Sequence, residues 1–169
     1  MNGAAAPRKL DELFQESGGC PVERDGDGEM IHMAYQIPVG VETSKIRLEF
    51  ADFIDEPVQG VCLQIGEGVL SVEGRSGPGL VLWMDSAPSV VDVGVNAEKG
   101  STPQVWNCWR GKFGELAAWL GNAGMICDVV REGEYKFSCS SGTGETSFGS
   151  VQFALRVGKM VGNGEEITQ

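Results

Sequence analysis

The chain has 169 residues, 41% of them hydrophobic, with 25 glycines and a formal net charge of −11 from 24 acidic and 13 basic residues. This length allows one domain with a full hydrophobic core, and the many glycines favour tight turns between short strands over a helix bundle. So acidic a surface repels phosphate backbones and anionic headgroups, which excludes nucleic acid and membranes as expected partners.

The sequence also suggests a compartment. No stretch approaches the ~18 apolar residues of a membrane span, and the N-terminal segment lacks the apolar core of a secretory signal. We therefore expect a cytoplasmic protein. Its five cysteines are widely spaced and none forms a CxxC pair, which favours buried free thiols over disulfides or a metal site. No cofactor is predicted.

The chain begins with small residues, so we predict that 1–7 is a flexible tail. Residues 8–16 then place Leu10, Leu13 and Phe14 at helical spacing. This pattern predicts a short amphipathic helix that covers an open end or edge of the sheets.

Short strands follow, separated by glycine, proline, asparagine or aspartate. The clearest is Ser44–Ala51, where Ile46, Leu48 and Phe50 alternate with charged residues and therefore share one buried face. Leu80–Asp85 is apolar on both faces, which is typical of a central strand. The other predicted strands are 29–37, 60–65, 68–73, 90–95, 104–110, 125–131, 135–140 and 148–157.

One segment between these strands has helical spacing. Phe113, Leu116, Ala117 and Leu120 lie at i, i+3, i+4 and i+7, and Gly121 stands where a C-terminal cap glycine would lie. The pattern predicts one or two helical turns over 113–120.

The strands 125–131 and 135–140 predict a hairpin. With Glu132–Glu134 as a three-residue loop, Cys127 lies opposite Cys139 and Val129 lies opposite Phe137. A shift by one residue would set apolar residues against polar ones along the whole ladder, so the pattern favours this register. It would bring two thiols together, which we expect to remain free.

These elements predict a mainly β fold, an antiparallel β-sandwich or jelly roll of about nine to ten strands with one or two short helices. We expect a single domain over 8–158, with flexible tails at 1–7 and 159–169.

Two segments have part of a ligand-binding pattern. Asp25, Asp27 and Glu29 alternate as in a calcium loop, but the positions that require glycine and glutamate are Met30 and Gln36. The glycine- and hydroxyl-rich segment 141–149 has no following lysine and precedes a strand instead of a helix, unlike a phosphate-binding loop. Both segments therefore favour ordinary turns, and no metal site is predicted.

His32 is the only histidine, so general acid–base or triad chemistry would require it. An enzyme of unknown reaction could pair it with a carboxylate such as Asp52, Asp55 or Asp85. Cys108 would be a reactive thiol only if a cation such as Arg110 lowered its pKa. A surface or packing histidine and an inert buried cysteine are the simpler interpretations.

The tryptophan-rich segment is the most informative part of the chain. Three of the four tryptophans lie in it, and a strand over 104–110 would be apolar on both faces. One face then belongs to the core, and the other belongs either to the core or to a binding platform. The candidate ligand-binding residues are Trp106, Asn107, Trp109, Arg110, Trp119 and Asn122.

We therefore expect a non-enzymatic binding or protein-interaction module with its site around Trp106–Trp119. A protein partner is favoured over a glycan, because the chain shows no export signal. The alternatives are a glycan-binding module, since indole rings stack on sugars, or an enzyme that uses His32 and a carboxylate.

Overall fold

The computed structural model describes residues 8–23, 28–39, 44–160 and 166–167. The described residues form one helix and fifteen strands. These are α1 (Leu10–Ser17), β1 (Val22–Glu23), β2 (Met30–Ile31), β3 (Tyr35–Gln36), β4 (Ser44–Phe53), β5 (Gln59–Gln64), β6 (Gly68–Val72), β7 (Arg75–Gly77), β8 (Gly79–Trp83), β9 (Val90–Ala97), β10 (Gln104–Arg110), β11 (Leu116–Ala117), β12 (Gly124–Arg131), β13 (Glu134–Ser140), β14 (Val151–Met160) and β15 (Glu166–Ile167).

The strands form two packed antiparallel sheets. The larger sheet has the order β12-β13-β14-β4-β9-β6-β7, with β15 also on β14, and the smaller has the order β11-β10-β5-β8, with β3 also on β10. A separate pair joins β1 to β2. The prediction of an antiparallel β-sandwich is confirmed, although with more strands than nine or ten. The predicted strand 29–37 is divided into β2 and β3, which partly accounts for the difference.

Alternation along the strands places the core between the sheets. Ile46 and Leu48 of β4 are fully buried, as are Val93 of β9 and Leu155 of β14. Their neighbours in sequence are half-buried or exposed, as the period of two requires. Phe50, the third apolar residue of the predicted β4 pattern, is half-buried and packs on the ring of Phe153.

The predicted N-terminal helix is confirmed as α1. Leu10 and Phe14 are buried against Ile31 of β2, and Ile126 of β12 packs against the same cluster, so the helix covers the β12 edge of the larger sheet. Gly18 ends the helix in the left-handed conformation, with φ of 69°. Among the described residues, no helix has the length and apolar character needed to cross a membrane.

The predicted helical turns over 113–120 are wrong. This segment contains turns and the short strand β11, and Gly114 and Trp119 have φ of 84° and 61°. A residue with positive φ cannot continue a right-handed helix. Gly121 exchanges two hydrogen bonds with Asp11 of α1, at 2.9 and 2.7 Å. Docking onto α1 therefore fixes this end of the segment.

The predicted central strand Leu80–Asp85 is an edge strand. β8 pairs with β5 alone, and Val81 remains 36% exposed. Its two-sided apolar pattern arises because Leu80 and Leu82 face the other sheet while Trp83 lies beneath a cation on the outer face.

The predicted hairpin register is shifted by two residues. Cys127 lies opposite Phe137, and Cys139 lies opposite Met125. The turn has two residues, Glu132 and Gly133, and a bulge between Val129 and Arg131 absorbs the difference. A two-residue shift keeps every side chain on its original face, so alternation alone cannot detect it. All five thiols are free, as expected.

The last strand runs past the predicted end of the domain, because β14 continues to Met160 and pairs with β15. Residues 1–7, 161–165 and 168–169 lie outside the described residues, so their assignment to flexible tails stays a prediction. Asp25 and Asp27 of the calcium-like segment also lie outside them.

Candidate functional site

The predicted site is organised by β10, which has neighbours on both sides in the smaller sheet. Alternation divides its side chains between two faces. Val105, Asn107 and Trp109 face the larger sheet, whereas Trp106, Cys108 and Arg110 belong to the outer face. The two-sided interpretation of this strand is therefore correct, and its outer face and the cleft at its Trp109 end are the parts that can contribute to a surface.

The two asparagines of the predicted site form hydrogen bonds that join separate elements of the fold. Asn107 is 2% exposed, and its Nδ2 donates to the carbonyl of Ser140 at 2.9 Å. Asn122 accepts from the backbone of Leu10 and donates to the carbonyl of Gly144, each at 3.2 Å. Asn107 joins the two sheets, and Asn122 joins α1 to the loop before β14.

Two tryptophans of the predicted site pack against each other with tilted rings. The ring centroids of Trp106 and Trp119 lie 4.8 Å apart at an angle of 36°. Trp106 is only 8% exposed, whereas Trp119 is 39% exposed, so Trp119 covers Trp106 and presents its own ring to solvent. The Nε1 of Trp119 donates to the carbonyl of Met33 at 3.1 Å, which fixes the ring.

Arg110 connects the site to Trp83, which is not one of the predicted site residues. Its guanidinium lies 4.7 Å from the centroid of the Trp83 ring and donates to a carboxylate oxygen of Asp85 at 2.9 Å. The register places Trp83 opposite Gly60, beside Cys108 on the outer face. The two-sided apolar pattern of 80–85 was the signal for a tryptophan on that face.

The fourth tryptophan, Trp109, borders an open cleft of about 780 Å³. Apolar side chains of Val58, Trp109, Ala117 and Leu120 line this cleft. Charged residues line it as well, and they are Asp55, Glu56, Arg110, Lys112 and Glu115. Trp109 is 4% exposed, so only a small part of its side chain borders the cleft.

The segment between β10 and β12 carries most of the apolar surface beside this cleft. Phe113 is 88% exposed and Leu120 is 58% exposed, with Leu116 and Trp119 between them at 46% and 39%. The turn at the tip is held by the backbone N–H of Gly111, which donates to the carbonyl of Glu115 at 2.6 Å. Three of these four side chains, those of Phe113, Leu116 and Leu120, were assigned to the wrongly predicted helix.

A row of three glutamines crosses the opposite end of the outer face. Gln104 of β10 lies opposite Gln36 of β3 on one side and Gln64 of β5 on the other. These side chains line a second cleft of about 600 Å³ together with Ser101 and Thr102. The cleft is therefore lined by neutral polar groups.

His32 has no carboxylate partner in the part of the chain that the structure describes. Its ring contacts Tyr35 edge-on at 5.1 Å, and burial lowers its pKa below 6.5. The carboxylates proposed for it lie elsewhere, since Asp85 pairs with Arg110 and Asp55 lines the apolar cleft. Asp52 accepts a hydrogen bond from the neighbouring backbone of Phe53. This arrangement gives no support to acid–base chemistry at His32.

The thiols near the site lie in surroundings that oppose ionisation. The neighbouring Cys62 thiol and burial raise the pKa of Cys108, and burial raises the pKa of Cys139. Burial also raises the pKa of Cys127 to about 11. Arg110 is engaged by Asp85 and Trp83, so it does not activate Cys108. No group of three or more metal-ligating side chains occurs among the described residues.

Comparisons of this chain with protein-family models, with curated proteins and with solved structures gave no match.

Proposed function

We propose that this protein is a non-enzymatic binding module that recognises another protein through residues 113–120 and the adjoining cleft. The observation that carries the proposal is the concentration of exposed apolar side chains. Four of the twelve large exposed hydrophobic residues in the described chain lie within these eight positions. Soluble proteins generally scatter such residues singly, and a continuous patch with a polar rim is typical of an interaction surface.

The cleft supports insertion of an apolar anchor from the partner. Trp109, Ala117 and Leu120 supply an apolar floor, and charged groups stand beside it. Interfaces commonly combine an apolar pocket with a polar rim that limits access of water to the anchor.

The charges around the cleft favour a basic partner surface. Asp55, Glu56 and Glu115 contribute three carboxylates, and Lys112 contributes one amine, while Arg110 is already paired with Asp85. The formal charge of −11 on the whole chain acts in the same direction. Such complementarity increases the association rate more than the final affinity.

A peptide selection tests this proposal. A random-peptide phage library is selected on the immobilised protein, and each enriched peptide is measured against the variants Leu120→Ser and Val90→Ser. Val90 is 44% exposed on β9 of the larger sheet, so it controls for the loss of exposed apolar surface. We expect enriched peptides with an aromatic or aliphatic anchor and nearby basic residues, which lose at least about tenfold in affinity with Leu120→Ser and little with Val90→Ser. Equal binding to both variants would overturn the proposal.

The glutamine row favours a second candidate function, the binding of a glycan on the outer face. Glutamine amides and the hydroxyl of Thr102 can exchange hydrogen bonds with sugar hydroxyls, and the exposed ring of Trp119 can stack on a sugar face. Screening against immobilised glycans distinguishes the two functions. Binding that disappears with Gln104→Ala and persists with Leu120→Ser would favour the glycan.

A further inference from the structure

β8 is an edge strand without the usual protection against pairing. Its sequence, GLVLW, contains no charged residue and no proline, and its pairing with β5 has no bulge. Both edges of the larger sheet are protected, since β12 carries a bulge and charged residues while β7 has three residues and includes Arg75. The opposite edge of the smaller sheet, β11, has only two residues. Natural proteins rarely leave an apolar edge unprotected unless another strand pairs with it.

The register shows which backbone groups of β8 are unpaired. The backbone N–H of Ile65 donates to Pro78 at 2.8 Å, and that of Met84 donates to Gln59 at 2.9 Å. Even-numbered positions therefore bond to β5, and the backbone groups of Gly79, Val81 and Trp83 point away from it. The carbonyl of Trp83 accepts from the turn that follows, but no described residue bonds to the N–H or C=O of Val81.

A groove of about 610 Å³ runs along this edge. One wall is β8, and the other is the β6–β7 hairpin of the larger sheet. Leu70 and Val72 contribute apolar surface, and Arg75 pairs with Val72 in register and so shares their face. One cation, Arg75, and one carboxylate, Glu73, line the groove, and neither has an ion-pair partner among the described residues. The groove shares no lining residue with the cleft beside Trp109.

We propose that an extended segment of a partner protein binds in this groove as an added strand on β8. Its backbone pairs with the outward groups of Gly79 and Val81, and alternate apolar side chains lie against Leu70 and Val72. A carboxylate among them reaches Arg75, the one cation that lines the groove. Backbone pairing supplies affinity in this mode of recognition, and side chains at alternate positions supply specificity.

The groove favours a foreign segment over a second copy of this chain. Antiparallel pairing of β8 with β8 of another copy is two-fold symmetric about an axis perpendicular to the sheet. Both β6–β7 hairpins would then lie on the same side of the joined sheet and compete for the same space. A single added strand brings no second hairpin, so no such overlap arises.

The test uses a labelled synthetic peptide that alternates valine with threonine and carries one glutamate facing the same side as the valines. Its affinity is measured for the wild type, Val81→Pro and Val81→Thr. Proline removes the outward N–H of Val81 and leaves the bonds of Leu80 and Leu82 to β5, whereas threonine keeps both the N–H and the β-branched shape. We expect at least about tenfold weaker binding for Val81→Pro and little change for Val81→Thr.

Two peptide controls keep the test decisive if the proline variant fails to fold. N-methylation at alternate residues removes the donors on one edge of the peptide and should abolish binding. Replacement of the glutamate by glutamine should weaken binding to the wild type several-fold, but not binding to Arg75→Gln. Amide exchange followed by NMR should show new protection at Gly79 and Val81 when the peptide binds.

Three results would overturn the inference. The first is equal binding of the N-methylated peptide, and the second is protection that appears at 113–120 and not at β8. The third is a dimer that forms without peptide and is lost with Val81→Pro, which would assign the edge to a second copy. Because the proposed function depends on Leu120 and this inference on Val81, either can fail without the other.

Discussion

The side-chain amide of Asn107 donates to the backbone carbonyl of Ser140 at 2.9 Å, and both residues are buried. This bond connects the central strand of the smaller sheet to β13 of the larger sheet. A buried amide needs such a partner because desolvation without one is costly. The same strand carries Trp106 and Arg110 on its other face, so the bond also holds the platform residues in place.

Replacing Asn107 by alanine should destabilise the fold by about 1–3 kcal/mol, because the variant loses a buried hydrogen bond and leaves a small cavity. Urea denaturation measures the difference. Asn96→Ala, at an exposed position of β9, is the matched control and should change the free energy of unfolding by less than about 0.5 kcal/mol. Equal stability of the two variants would contradict a structural role for Asn107.

Gly60 lies directly beneath two side chains of the outer face, those of Trp83 and Cys108. A Cβ at this position would lie 2.7 Å from Cε3 of Trp83 and 2.9 Å from the Cys108 sulfur. Gly60→Ala should therefore cost about 1–3 kcal/mol and disturb the fluorescence of Trp83. Gly149→Ala, which meets nothing within 4 Å, should leave both the stability and the spectrum nearly unchanged.

His32 should make stability depend on pH in a defined direction. Burial lowers its pKa in the folded state below the ordinary 6.5. The unfolded chain therefore binds this proton more readily, and the free energy of unfolding falls as pH drops through 6.5 toward the folded-state value. Urea titrations across this range should show a smaller loss of stability for His32→Gln than for the wild type. Parallel curves of the free energy of unfolding against pH for the two proteins would mean that the imidazole does not contribute to the pH dependence.

The thiols should react with a disulfide reagent such as Ellman's reagent in a fast phase and a slow phase. Cys20 is exposed, whereas Cys62, Cys108 and Cys139 are buried, and Cys127 is half-buried with a pKa of about 11. Fast modification at mildly alkaline pH should correspond to one thiol and disappear in Cys20→Ser. The remaining thiols should react at a rate limited by opening of the fold. A second fast thiol in Cys20→Ser would contradict this burial.

The fold places the residues of the predicted site on both faces of β10, so they do not form one continuous surface. The pattern of β10 alone predicted that Trp106 and Trp109 lie on opposite faces. Which face meets the other sheet was decided by Asn107, whose partner Ser140 lies on a strand about thirty residues further along the chain. Trp83 lies at the site because β8 pairs with β5 in a register that the sequence does not reveal.

The errors have related physical causes. Helical spacing over 113–120 is compatible with a turn when glycine permits positive φ, and contacts of Gly121 with α1 decided between the two. The hairpin register was wrong by two because such a shift preserves each side chain's face. The strand 80–85 was placed in the centre because an apolar pattern reports the burial of a strand's two faces and not whether a second strand pairs along its edge.

The sequence by itself determined that the protein is an antiparallel β-sandwich with a core of alternating aliphatic residues. Burial of one face of a strand requires a hydrophobic residue at every second position, and that period is visible in the sequence. It also determined that the central tryptophan-rich strand is apolar on both faces. Only the tertiary structure decided which tryptophans are covered, which strand is left at an edge and which apolar residues remain exposed. Those properties depend on what packs against each face, and that is settled by contacts between residues far apart in the chain.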